Sequence, residues 1–203
     1  MDGTDPLTRV CELFGLTADS ARLAEALTHP SYAHEVKGAT DNQRLEFLGD
    51  AVLDFAASEL LFARFPRADE GELTRRRAQV VSTQALAEFA RHHDLAEAVR
   101  FGRGAQQGNL KESENVLADA VEALLSAVYL DHGLEAARQA CRKVIEFGLE
   151  QGPSKSSLDA KSELQERAQA VGLRAPIYEV VLREGPAHDT TFEVVVRVGE
   201  LTV

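Results

Sequence analysis

From residue 7 to residue 149 the apolar side chains return every three or four positions, and beyond residue 176 they form short β-branched runs instead. One kind of structure cannot satisfy both patterns, because helices and strands repeat with different periods. The helical part divides into runs at Leu7–Phe14, Ser20–Leu27, Arg44–Phe65, Leu73–His92, Val116–Leu130 and Leu134–Leu149. Thr28-His29-Pro30-Ser31, Phe65-Pro66-Arg67 and Phe101-Gly102-Arg103-Gly104 lie between runs and carry the Gly and Pro that interrupt helices. Gln151-Gly152-Pro153-Ser154-Lys155-Ser156-Ser157 is polar, has no apolar anchor and reads as a linker.

After the linker, Asp159–Val171 reads as one helix, closed by Gly172. Ile177–Leu182 and Thr191–Val198 read as strands, joined by a hairpin loop over Gly185-Pro186-Ala187-His188-Asp189. The expectation is a mainly α chain: an all-helical domain over 1–150, a linker over 151–157 and an incomplete α-β-β segment over 158–203. A helix and two strands cover only one sheet face, so this segment reads as unfinished.

The chain of 203 residues is long enough for a proper core. No apolar run approaches the roughly 20 residues that cross a bilayer, and Met1–Val10 lacks the apolar core of an export signal. Cys11 and Cys141 are too few for a disulfide framework or a thiolate zinc site. The chain therefore reads as cytoplasmic, with no membrane partner. A net charge of −11 argues against a broadly basic nucleic-acid surface. It leaves room for a local one, and a metal-dependent nuclease must itself gather carboxylates.

Two acidic pairs stand out within apolar helical runs. In Gln43-Arg44-Leu45-Glu46-Phe47-Leu48-Gly49-Asp50-Ala51-Val52-Leu53, Glu46 and Asp50 are four apart and share a helix face. Gly49 between them weakens a helix by about 1 kcal/mol relative to Ala. In Leu117-Ala118-Asp119-Ala120-Val121-Glu122, Asp119 and Glu122 are three apart. Side by side, the two helices would converge four carboxylates, which must then protonate or bind a cation. All-oxygen donors favour Mg²⁺ or Mn²⁺. The alternative is a pair of solvated acidic faces, a reading that suits Asp54 and Glu59.

These residues carry a resemblance. Gln43–Val52 resembles the signature segment of bacterial ribonuclease III, and Ala26-Leu27-Thr28-His29-Pro30-Ser31-Tyr32 resembles the segment before it. Phe65-Pro66-Arg67-Ala68-Asp69-Glu70-Gly71 and Leu117–Asp131 resemble later blocks of that family in the same order, so the likeness spans nearly all of residues 7–150. It implies a dimeric, Mg²⁺-dependent endonuclease, with Mn²⁺ able to substitute. Such an enzyme cuts double-stranded RNA to 5′-phosphate and 3′-hydroxyl ends and processes ribosomal and some messenger precursors. By position, Glu46, Asp119 and Glu122 match the metal ligands, and Asp50 and Glu122 the active-site residues. Phe47 matches an aromatic that enters a pocket on the partner subunit, although its helical phase also suits an ordinary core residue. Gln43 departs from the Glu usual at that position.

Ala160-Lys161-Ser162-Glu163-Leu164-Gln165-Glu166, Pro176-Ile177-Tyr178 and the 185–189 loop resemble the start of a double-stranded RNA-binding domain. That likeness implies that Gln165, Glu166 and Gln169 meet one minor groove and His188 the next. The family's domain continues into a lysine-rich helix, whereas residues 157–203 hold five Arg/Lys against eight Asp/Glu. The segment therefore reads as a domain cut short. Arg75-Arg76-Arg77, Arg100 and Arg103 suit either RNA phosphates or ordinary surface charge, and His92-His93 reads as surface. Two rival readings are a catalytically idle RNA binder, which would need none of the four carboxylates, and a helical phosphohydrolase for small molecules, which would need no RNA-binding tail.

Overall fold

A computed structural model describes residues 5–106, 109–152, 160–184, 191–199 and 201–202. The chain falls into two compact units, Met1–Gly152 and Pro153–Val203.

The first unit is helical and is built around one long helix. Its elements are α1 (Pro6–Phe14), α2 (Ala21–Ala26), α3 (Pro30–Glu35), α4 (Gln43–Arg64), α5 (Glu70–Val80), α6 (Thr83–His92), α7 (Arg103–Gln106) and α8 (Glu114–Gln151), with short 3-10 turns at Leu95–Glu97 and Asn109–Glu112. Between Val116 and Val128 nearly every side chain of α8 is buried, as in a helix enclosed on all sides. Around it pack α4 and α6 most extensively, with α1, α2 and α5 completing the cover. Helix α4 turns Leu45, Gly49, Val52, Leu53, Ala56, Ala57 and Leu61 inward, the spacing of a single face. Cys141, on the second half of α8, is fully buried, and burial pushes its thiol up to about 12.

Local chemistry sets several boundaries. The run Leu73–His92 is two helices, not one: Ser82 accepts a hydrogen bond from the Ala85 N–H and starts α6 anew. Conversely, the runs before and after residue 132 belong to one long helix broken at Gly133, whose φ of 82° only glycine adopts readily. The Thr28–Ser31 break conceals α3, which begins with Pro30 at its first turn and His29 as its cap.

In the second unit, α9 (Ala160–Ala170) is followed by an antiparallel sheet in the order β1 (Ile177–Glu184), β2 (Thr191–Val198), β3 (Leu201–Thr202). β1 is two residues longer than its β-branched core suggests, and β3 adds a strand that two apolar runs could not announce. The β1–β2 register slips by one residue between Val180 and Leu182, a bulge. Ile177, Val180, Val181, Leu182 and Val194 all stay exposed, so much of the sheet's apolar surface is open. The expected linker begins within the last turn of α8, at Gln151, and its residues 153–157 lie outside the described residues, as does the 185–189 loop with His188.

Candidate metal centre

The site lies where α4 crosses α8. The start of α4 is anchored from behind: the Asn42 N–H donates to the Thr28 carbonyl at 3.0 Å, and the Glu46 N–H donates to the Asn42 carbonyl at 2.8 Å. Thr28 is itself fully buried, donates to the Ala24 carbonyl and receives the Arg100 guanidinium. The first turn of α4, which carries Glu46, is thereby fixed to the body of the domain. Asp119 and Glu122 rise from the fully packed part of α8.

Glu46, Asp119 and Glu122 bring one carboxylate oxygen each within 4.8 Å of the others, and all three are half-buried. No arginine or lysine among the described residues pairs with them. Burial raises the Glu122 carboxyl to about 8, helped by the negative charges of Asp50, Asp119, Glu46 and Asp54. Burial also raises Glu46, with Asp119 and Asp50 adding to it, and raises Asp119 against an opposing backbone hydrogen bond. Three carboxyls pushed toward their neutral forms with no compensating cation are a charge-deficient oxygen cage, and a hard divalent cation fits it.

The expected convergence of four carboxylates narrows to three. Asp50 is exposed and stands apart from the close set, although its charge is felt by both Glu46 and Glu122. Gln43 is exposed at the first residue of α4, outside the set. Asp54, placed by its spacing on a solvated face, also sends its charge to Glu122.

Other positions separate clearly. Phe47 is 81% exposed, which overturns its reading as core. Arg76 donates to Glu72 and stacks over Phe65, Arg77 donates to Ser58 at 2.9 Å, and Arg100 is taken up by Ala24, Thr28 and Tyr32. These three arginines serve the fold. His92 is exposed, while His93 is half-buried in ring contact with Phe89 and Phe147. Gln165 and Gln169 are exposed on α9; the Glu166 side chain and His188 lie outside the described residues. Among the described residues no helix is long and apolar enough to cross a membrane.

A Ribonuclease-III-like family model matches residues 19–147, well over half of the chain. The chain belongs to the ribonuclease III family. A double-stranded RNA binding motif matches residues 160–203. Ribonuclease 3 of Mycolicibacterium smegmatis is 41% identical over 201 residues, covering 97% of this chain and 87% of the relative. Ribonuclease 3 of Syntrophomonas wolfei is 44% identical over 167 residues, covering 82% and 72%. Among solved structures, the nuclease domain of ribonuclease III from Campylobacter jejuni superposes with a TM-score of 0.65 at 32% identity, covering 71% of this chain and 99% of that one. Its description concerns flexibility in a region involved in dimer formation. As a ribonuclease III, the present chain is an endoribonuclease directed at double-stranded RNA, of a metal-dependent family.

Proposed function

We propose that this ribonuclease III hydrolyses double-stranded RNA with Mg²⁺ held by Glu46, Asp119 and Glu122, leaving 5′-phosphate and 3′-hydroxyl ends. The observation that carries the reading is the close oxygen cage between α4 and α8, raised toward neutrality and lacking any cationic partner among the described residues. When bound, the cation supplies Lewis-acid stabilisation of the phosphate and lowers the pKa of water. The chain's own groups do the rest. With a cation bound, Glu122 would stand as a carboxylate, its proton released to solvent. Asp50, exposed beside the cage, accepts a hydrogen bond from the attacking water and orients it toward phosphorus. Mn²⁺ suits the same donors.

One such cage serves one strand, so a duplex calls for two copies related by a two-fold axis. Support comes from the C. jejuni nuclease domain, described with a dimer-forming region, and from the bare Phe47 ring on the outer side of α4. Gln165, Glu166 and Gln169 would meet one minor groove and His188 the next. The substrates would be structured ribosomal and messenger precursors in the cytoplasm.

Incubating the purified chain with a long RNA duplex tests this directly. Cleavage is expected with Mg²⁺ and not with a chelator. Glu122→Gln should cut at least a hundredfold more slowly while binding RNA within threefold of the wild type. Chelator-resistant cleavage, or full activity in Glu122→Gln, refutes the assignment.

A further inference from the structure

Gly49 is the residue of the signature helix that neither helix propensity nor the carboxylate chemistry explains. It is buried on α4, between Glu46 and Asp50, where α4 lies against α8. A Cβ placed there would overlap the carbonyl oxygen and carbon of Glu122 and stand 3.0 Å from its Cα. All three are backbone atoms, so no change of rotamer makes room. Gly148, elsewhere on α8, makes a milder contact: its added Cβ would meet the Val80 side chain at 3.3 Å, tighter than usual but relieved by a give of a few tenths of an ångström.

The same crossing holds the cage. Glu46 comes from α4, one turn before Gly49; Asp119 and Glu122 come from α8, and Glu122 is the residue that Gly49 touches. The gap between the ligand from one helix and the two from the other is therefore fixed by this backbone contact. Regaining a normal carbon contact of about 3.5 Å would part the helices by on the order of 1 Å. Mg²⁺ demands near-octahedral ligands at about 2.0–2.1 Å, whereas Ca²⁺ accepts about 2.3–2.6 Å in looser geometry. A shift of that size separates the two ions.

We propose that Gly49 is a positioning residue that sets the α4–α8 spacing and thereby matches the Glu46, Asp119 and Glu122 cage to a cation as small as Mg²⁺. The inference rests on the metal reading above and goes beyond it, by making backbone separation the determinant of ion size.

The test is calorimetric titration of Mg²⁺ and, separately, Ca²⁺ into the full chain without RNA. Wild type, Gly49→Ala and Gly148→Ala are compared, with folding checked by circular dichroism. Gly49→Ala should lose at least tenfold in Mg²⁺ affinity and less than threefold in Ca²⁺ affinity. Gly148→Ala should keep the ratio of the two affinities, because its strain falls on Val80 and a loss of general stability lowers both alike. Adding Asp119→Glu to Gly49→Ala lengthens one ligand by a methylene and should restore Mg²⁺ binding at least threefold. Equal losses for both ions, or no loss, in Gly49→Ala overturn the proposal. Should Gly49→Ala fail to fold, Glu46→Asp withdraws one ligand while leaving the helices in contact. It must then show the same selective loss of Mg²⁺, and an equal loss of both ions overturns the proposal. A wild type that binds neither ion fails the metal reading itself, a result distinct from a wild type that binds both and a Gly49→Ala that binds them equally well.

Discussion

Glu122 is held where its own charge is disfavoured, and that sets a pH dependence. Its carboxyl is raised from the ordinary range to about 8, chiefly by burial and then by four neighbouring acids. The folded chain therefore holds this proton more tightly than the unfolded chain does. The resulting stability is complete below the ordinary carboxylate range and is lost as pH rises through about 8. Glu46 and Asp119 are raised in the same sense and broaden the decline. Metal-free protein should thus melt at progressively lower temperature between pH 5 and pH 9, and Glu122→Gln should flatten that trend, measured by thermal denaturation in chelator. Mg²⁺ affinity should climb with pH and level off above about 8, as the cation no longer displaces a proton; a flat profile would contradict the shift. The three clustered carboxylates were legible as like charges on one face of apolar helices. The separation of Asp50 was not, because spacing specifies a face and says nothing of depth. The meaning of Gly49 was hidden as well, since its partner is the backbone of a residue 73 positions away.

Along α4 the inner face is packed and the outer side is unusually apolar for solvent. Phe47 is joined by Phe55 and Phe62, both exposed, at spacings of eight and seven residues. An aromatic that touches little within its own subunit should be removable without unfolding it. Phe47→Ala should change monomer stability by less than about 0.5 kcal/mol. It should also weaken self-association at least tenfold, about 1.4 kcal/mol, by sedimentation equilibrium. An unchanged dimer would remove Phe47 from the interface. At this scale the sequence was informative for long periodic runs and weak at joints. A serine cap within Leu73–His92 was invisible beneath continuous apolar spacing, and α3 is too short to show a period. Gly133 reads as a terminator by its type, yet the chain resumes as helix immediately beyond it.

The whole molecule carries a net charge of −11, and its best-placed arginines are engaged internally. RNA affinity should therefore depend only modestly on salt. With the slope of log K against log salt steepening by about 0.9 per phosphate contact on a duplex, a slope shallower than roughly −4 is expected in a filter-binding salt series. A much steeper slope would mean a broad basic face that the charge distribution does not suggest. The change of period after residue 150 announced two structural regimes, because it reports burial on one face of each element. The third strand was missed, since two residues form no pattern.

Cys141 turns the architecture of α8 into a clock. A thiol that is fully enclosed and raised to about 12 has neither the access nor the charge to react. Each molecule alkylated there must first have opened its central helix. The rate of labelling at Cys141, separated from that at the half-buried Cys11 by mass spectrometry of peptides, therefore counts openings of the native state. Because α8 also supplies Asp119 and Glu122, a cation that binds only the closed form should slow the clock by one plus the ratio of its concentration to its dissociation constant. Labelling at Cys141 unmoved by saturating Mg²⁺ would mean that the two ends of this helix open independently, with Gly133 as the point of separation.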